Sequence, residues 1–316
     1  MAELGATQHP DRVLCVSVEG GPYTAAFGML WGTPNLSFAR LREKSSTDGQ
    51  AASGTAMYTL ARVTQPQRYK MTLAYDGTHF CGWQKQHPPD EPAPLRTVQG
   101  VVEDTLVRLL GQRINLIGAS RTDAGVHAHG QVAQFDAATR IPLENLARTI
   151  TGRLPEDIDV RHVELAPHPK FDCINDCRSK QYRYRLWNTQ CRPLEKRHAV
   201  YHCWTPLDIE RMRDAGRRMI GMHDVAGFAA AGHGRTSTIR TIHDVRIEHD
   251  EPEVHIVIAG DGFLYNQVRI MAGTLVEVGR GHFPIERVDA ILARADRALA
   301  GPTLPPQGLW LEWIAY

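Results

Sequence analysis

The sequence predicts an α+β fold of two lobes, in which helices flank mainly antiparallel sheets. Three observations support this prediction. The predicted helices and strands are interspersed along the chain. The strands often alternate apolar and polar residues, as expected when one sheet face is buried and the other is solvated. The 316 residues, of which 42% are hydrophobic and 22% charged, provide material for about two globular domains.

Composition limits the classes of function. The 36 basic and 35 acidic residues give a net charge of +1, so a nucleic-acid partner must be bound by local basic patches. The longest uncharged run, residues 20–39, contains two prolines and four glycines, which predicts no membrane helix. Glu3 and Asp11 argue against a secretory signal. Six scattered cysteines indicate free thiols in a reducing compartment, which predicts a cytoplasmic protein without disulfides.

Residues 1–67 differ from the rest and are predicted to form a weakly ordered N-terminal extension. Their five basic and five acidic side chains balance, and residues 45–56 are small and polar, as in a linker. Met57 is a plausible alternative initiator. A transit peptide is the competing interpretation, and the acidic residues count against it.

The first lobe is predicted over residues 68–171. A strand at 69–75 is followed by an Asp-Gly turn signal. Thr97 can cap a helix over 98–110, which Gly111 ends. The remaining elements of this lobe are strands at 114–119 and 131–135, a helix at 143–153 and a strand at 158–165.

The second lobe, residues 172–316, is predicted from the same signals. Period-2 alternation marks its strands, and apolar residues at helical spacing mark its helices. Its elements are a strand at 180–187, a helix at 206–222, strands at 244–248 and 254–259, helices at 263–278 and 285–293, and a strand at 309–315.

The densest polar cluster, residues 118–128, lies in a loop between two predicted strands. Asp123 is flanked by small residues there, so its carboxylate would be accessible as a nucleophile or base, and Arg121 could pair with it or with a phosphate. The alternative is a tight turn in which Asp123 bonds its own backbone. A metal site formed with His127 and His129 is not favoured, because the sequence offers no further ligand at suitable spacing.

Two further clusters carry charge. Residues 178–198 contain seven Lys or Arg against one Glu, and aromatic residues are interleaved with the basic ones, as suits an RNA partner. The alternative is a solvated strand face beside a buried one. Arg269 lies in an otherwise apolar predicted helix. Unless its side chain reaches the edge of the fold, it requires an acidic partner, for which Asp123 is the candidate.

Residues 121–128 read Arg-Thr-Asp-Ala-Gly-Val-His-Ala. This run is an unbroken match to the catalytic motif of the tRNA pseudouridine synthase A family, which residues 69–316 resemble. Other family-like segments occur in the expected order, at 75–77, 82–84, 97–100, 180–184, 237–242, 263–269, 279–281 and 306–309. The residues before Tyr69 depart from the family pattern.

The resemblance implies conversion of uridine to pseudouridine at positions 38–40 of the tRNA anticodon stem-loop. It implies the pseudouridine synthase fold with a catalytic cleft between two lobes, a homodimer, and no metal or other cofactor. Asp123 falls on the catalytic aspartate and Tyr182 on the tyrosine that stacks against the target base. Arg121 falls on the motif arginine near the flipped nucleotide, and Arg269 on the arginine that pairs with the carboxylate.

Four basic residues are candidates for further RNA contacts: Arg178, Lys180, Arg183 and Arg240. Two alternative functions remain open from the residues themselves. An N-glycosylase or nucleosidase would use Asp123 hydrolytically, although no second, water-activating carboxylate is evident at motif spacing. An RNA-binding protein without catalysis would need only the basic segment.

Overall fold

The computed structural model describes residues 65–230 and 236–316. The predicted N-terminal extension, apart from its last three residues, lies outside them. Within these residues the ten strands are β1 (Gln67–Tyr75), β2 (Ile117–Gly118), β3 (His127–Ala137), β4 (Ile158–Leu165), β5 (Ser179–Trp187), β6 (Tyr201–His202), β7 (Gly221–Asp224), β8 (Ile239–Asp250), β9 (Glu253–Gly260) and β10 (Leu309–Ala315). The five α-helices are α1 (Val98–Leu110), α2 (Leu143–Thr151), α3 (Ile209–Arg218), α4 (Gln267–Gly279) and α5 (Arg287–Arg294).

The strands form a single sheet in the order β4-β1-β3-β10-β5-β9-β8-β7, with β2 beside β3 and β6 beside β5. The pairs β3–β10 and β5–β6 are parallel, and the other paired strands are antiparallel. The predicted α+β fold with mainly antiparallel strands is confirmed. Strand β10 lies between β3 and β5 and so joins the strands that precede residue 171 to those that follow it.

Alternation along the strands places the core. In β5, Tyr182, Tyr184 and Leu186 are buried, and the residues between them are partly exposed. Met71 and Leu73 of β1 belong to the same apolar cluster, which also includes most of α4. Burial of such side chains contributes roughly 1.5–3 kcal/mol each relative to exposure. No helix in the described part of the chain combines the length and apolar character needed to cross a bilayer.

Several predicted boundaries are wrong, including those of the strands predicted at 131–135 and 244–248, which are longer in the structure. Three others differ for a local reason. The helix predicted at 206–222 spans only α3, because Asp208 caps its start by accepting from Arg211 N–H, and residues 221–224 pair as β7. The strand predicted at 114–119 is reduced to β2, where only two residues pair. The helix predicted at 263–278 begins at Gln267, because Asn266 takes a left-handed conformation with φ 59°.

Candidate active site

The predicted catalytic loop connects β2 to β3 and turns sharply at Asp123. The carbonyl oxygen of Asp123 accepts from Val126 N–H (3.1 Å), and Gly125 has a φ of 77°. Non-glycine residues rarely adopt such a φ. The turn therefore exists, but the Asp123 carboxylate does not bond its own backbone. Among the described residues its side chain has one hydrogen-bond partner, Arg269.

A second segment, residues 75–83, forms hydrogen bonds with this loop before and after Asp123, and we call it the clamp. Trp83 N–H donates to the carbonyl oxygen of Thr122 (3.0 Å), and Gly125 N–H donates to that of Phe80 (3.3 Å). The hydroxyls of Tyr75 and Thr122 share a buried hydrogen bond of 2.8 Å. Bonds on both sides of Asp123 thus fix the backbone that presents its carboxylate.

Gly82 is essential to this clamp, and we expect Gly82→Ala to impair both stability and activity. Gly82 has a φ of 86°, and an added Cβ would lie 2.6 Å from the carbonyl oxygen of Thr122. Left-handed backbone alone costs a non-glycine residue roughly 1–2 kcal/mol. Gly111→Ala is a matched control, because Gly111 has a φ of 64° and no atom within 4 Å of the added Cβ.

Thermal unfolding and steady-state kinetics of both variants test this expectation. Both variants should have a lowered Tm, but only Gly82→Ala should also lower kcat, since only its Cβ displaces the loop. Equal kcat values for the two variants would show that the clamp does not position the site.

Arg269 of α4 is held by three oxygen atoms. Its Nη1 donates to Asp123 Oδ2 (3.3 Å) and to Asn266 Oδ1 (2.7 Å), and its Nε donates to the carbonyl oxygen of Leu304 (2.6 Å). Its side chain is 14% exposed and that of Asp123 is 31% exposed. The structure thus brings together an arginine and an aspartate that lie 146 residues apart in sequence.

Burial and charge act on Asp123 in opposite directions. Burial raises the pKa of the Asp123 carboxyl, and the Arg269 guanidinium, by charge and hydrogen bonding, opposes that rise. Burial has the larger effect, so the pKa is raised overall. Arg269 favours the ionised carboxylate as expected from the sequence, but the sequence did not indicate that burial would outweigh it.

Tyr182 of β5 lies on the same side of the sheet as the loop. Its hydroxyl shares a hydrogen bond of 3.0 Å with Ser120 Oγ, and its ring meets the ring of Phe263 edge-on at 5.3 Å. Burial raises the pKa of Tyr182 to about 12, and the negative charge of Asp123 acts in the same direction. The Tyr182 phenol is therefore protonated near neutral pH.

The other predicted site residues differ in their exposure and in their hydrogen-bond partners. Arg121 is exposed, and in the part of the chain that the structure describes it has no hydrogen bond, ion pair or ring contact. Arg178 is also exposed. Lys180 Nζ donates to the carbonyl oxygen of Ala119 (2.8 Å) and thereby supports the start of the loop. Arg240 is partly exposed, and its Nη1 donates to backbone oxygens of its own segment.

Arg183 lies on the opposite face of β5 from Tyr182, as the alternation of the strand requires. Its guanidinium forms ion pairs with Glu248 (2.7 Å) and Glu312 (3.1 Å). The structure therefore does not bring Arg183 together with Asp123. Its side chain links β5 to the adjacent β10 and, across β9, to β8.

His127 and His129, at the start of β3, pack on one tryptophan. His127 is buried and stacks on Trp310 with ring centroids 4.2 Å apart, and burial lowers its pKa. His129 also contacts Trp310 and pairs with Glu312 (3.2 Å). Within residues 65–230 and 236–316, no three His, Cys, Asp or Glu side chains are grouped so that they could hold a metal ion.

Sequence reasoning missed the two oxygens that hold Arg269 beside Asp123. Asn266 lies within the family-like segment 263–269, but no pattern in that segment indicates that its amide oxygen accepts from Arg269. The Leu304 carbonyl is a backbone group, so the identity of residue 304 does not reveal it. The Asn266 oxygen reaches Arg269 through the local turn at the start of α4, whereas only the tertiary structure places the Leu304 carbonyl there.

Comparison with known proteins agrees with this architecture. A family profile described as tRNA pseudouridine synthase matches residues 71–176 and 215–316. A tRNA pseudouridine synthase A of Thermoanaerobacter sp. (strain X514) is 42% identical over 249 residues, which cover 78% of this chain and 98% of that protein. One from Myxococcus xanthus is 42% identical over 251 residues, or 79% of this chain and 92% of that protein. The chain therefore belongs to the tRNA pseudouridine synthase family.

Proposed function

We propose that this enzyme converts uridine to pseudouridine at positions 38–40 of the tRNA anticodon stem-loop, with Asp123 as the catalytic carboxylate. As a member of its family the chain is an isomerase that acts on tRNA. The observation that carries the catalytic assignment is the partly exposed Asp123 carboxylate, 3.3 Å from the Arg269 guanidinium on a clamped loop.

The residue types suit this chemistry. The reaction breaks the N1–C1′ glycosidic bond, turns the uracil and forms a C5–C1′ bond, while the C5 proton is lost and N1 gains a proton. Oxidation state is unchanged and no water is consumed, so the reaction requires no cofactor. An ionised Asp123 can act as a nucleophile at the sugar or the base, or as a base at C2′. Arg269 keeps that ionised form available despite burial.

The substrate must be extruded from its stack before Asp123 can reach it. Base extrusion costs a few kcal/mol. Arg121 is exposed beside Asp123 and unengaged within the described residues, so its guanidinium is available to the displaced nucleotide. Tyr182 supplies an aromatic ring, and stacking of a base on such a ring contributes on the order of 1–3 kcal/mol. Because Tyr182 is only 6% exposed, the base must reach its ring at a small open area.

The remaining basic residues and the assembly complete the proposal. Three of the candidate basic residues are at least partly exposed: Arg178, Lys180 and Arg240. We assign them to contacts with the RNA backbone. The enzyme acts as a homodimer in the cytoplasm. A reducing compartment suits the free thiols of Cys81, Cys173, Cys177, Cys191 and Cys203.

Mapping of the modified nucleotides tests the positions. Transcripts of one tRNA with a single anticodon-arm uridine at position 38, 39 or 40 are incubated with the enzyme and mapped for pseudouridine. We expect conversion at each of the three positions and none at a uridine placed elsewhere in the arm. Conversion only outside positions 38–40 would contradict the assignment, and release of free uracil would indicate a glycosylase instead.

A further inference from the structure

We infer that Asn266 is a positioning residue whose side-chain oxygen orients the Arg269 guanidinium toward Asp123. The inference rests on the proposed catalytic role of Asp123 and extends it to a residue that has no contact of its own with the carboxylate among the described residues.

The geometry of the guanidinium carries the argument. Arg269 Nη1 bears two hydrogens, and the group is planar and rigid. Nη1 donates both to Asn266 Oδ1 at 2.7 Å and to Asp123 Oδ2 at 3.3 Å, and its two hydrogens suffice for both bonds. The Leu304 carbonyl oxygen fixes Nε at 2.6 Å. Bonds at both Nε and Nη1 restrict the rotation of this rigid group and hold Nη1 within hydrogen-bond distance of Asp123 Oδ2.

Asn266 has a left-handed backbone conformation at the start of α4, and its side chain binds Arg269 from there. Asn266 has a φ of 59° and a ψ of 5°, and it stands at the N-cap position of α4. Its side chain accepts no hydrogen bond from a backbone N–H of the first turn, which is the usual role of an asparagine there. Instead its oxygen accepts from Arg269, three residues further along the helix. The Asn266 side chain thus binds the Arg269 guanidinium instead of capping the helix.

Few other groups can disturb the titration of Asp123. In the described residues the titratable groups that face it are Arg269 of α4 and Tyr182 of β5, and Arg269 also faces Tyr184 of β5. Burial raises the pKa of both tyrosines far above neutral pH, so both stay uncharged where Asp123 titrates. The acidic limb of the pH–rate profile therefore reports Asp123 as Arg269 influences it.

The test is Asn266→Gly, with Ala295→Gly as its matched control. Glycine adopts the left-handed conformation without strain, so the substitution removes the amide and keeps the backbone. Ala295, at the end of α5, has a φ of 49° and offers the same exchange away from the site. For Asn266→Gly we expect kcat to fall about tenfold, as for loss of one hydrogen bond to a charged group, with KM for tRNA within about twofold.

The pH profile separates positioning from a merely structural role. With Arg269 held only at Nε, its charge stabilises the ionised Asp123 less, so the pKa of the acidic limb of kcat/KM should rise. Ala295→Gly should leave the limb in place. In an Arg269→Lys background, Asn266→Gly should cause little further loss, because both changes affect one interaction. An unmoved or lowered limb, or fully additive losses, would overturn the inference.

A measurement without turnover distinguishes this inference from the proposed function. In the full chain labelled with ¹³C-aspartate, the resonance of Asp123 is identified by its absence in Asp123→Asn and titrated in the wild type and in Asn266→Gly. A raised pKa in Asn266→Gly supports the inference even if Asp123 proves not to be catalytic. An unchanged pKa in an enzyme that forms pseudouridine refutes it and leaves the proposed function intact.

Discussion

Asp123→Asn is expected to lower pseudouridine formation by about 10⁴-fold or more, as is common when a catalytic nucleophile or base is removed. Asparagine matches the shape of aspartate, and its amide oxygen can still accept from Arg269 Nη1. It cannot carry the negative charge on which each route at the sugar or base depends. Tritium release from tRNA that contains [5-³H]uridine measures the loss.

Binding and folding measurements serve as controls for this variant. Burial raises the pKa of Asp123, so the fold favours its neutral form. For an acid with a raised pKa, stability is highest at low pH and declines as pH rises through the pKa of the folded state. The neutral amide introduced by Asp123→Asn avoids that decline, so Tm near neutral pH should not fall. tRNA affinity should also persist, and equal tritium release from both proteins would refute the catalytic role.

Arg269→Met is expected to lower kcat/KM by about 10²–10³-fold, the loss typical when one partner of a buried charge pair is truncated. The variant removes the cation 3.3 Å from Asp123 Oδ2 and leaves burial unopposed. The pKa of Asp123 should then rise further, and a smaller fraction of the enzyme carries the ionised carboxylate at a given pH. Arg269→Lys should fall between Arg269→Met and the wild type, because it keeps the charge but not the planar fork.

The pH dependence of kcat/KM tests the sign of this effect. Activity requires the ionised Asp123, so it declines as pH falls through the pKa of that carboxyl. In Arg269→Met the decline should begin at a higher pH than in the wild type, and raising the pH should restore part of the loss. A limb at the same pH in both proteins would mean that Arg269 does not act through the charge of Asp123.

The sequence predicts the local elements well where a few neighbouring residues determine them. Helix α1 has the predicted bounds because Thr97 accepts from Gly100 N–H and Gly111 takes a left-handed φ of 64°. Strand β10 also has its predicted bounds. The helix predicted at 206–222 extends too far, because residues 221–224 pair with β8 and form a strand, and this pairing is a tertiary interaction.

The sequence predicts the loop that carries Asp123 and the pairing of Asp123 with Arg269. It does not predict how deeply the Asp123 carboxylate is buried. The loop motif marks Asp123, and the cost of burying an unpaired Arg269 indicates an acidic partner. The direction of the Asp123 pKa depends on how much protein surrounds the carboxylate, which no nearby residue reveals. Likewise, the contiguous basic segment 178–198 gives no sign that Arg183 is held by Glu248 and Glu312.

The position of β10 between β3 and β5 has a consequence for biosynthesis. Residues 309–315 are made after all the other strands, yet they fill the middle of the sheet. On the ribosome, β3 and β5 each have an unpaired edge until this segment emerges, and such edges invite pairing with other chains. The loop that carries Asp123 leads into β3, and Tyr182 lies on β5, so β10 cannot join the strands that carry these two residues until residues 309–315 have emerged.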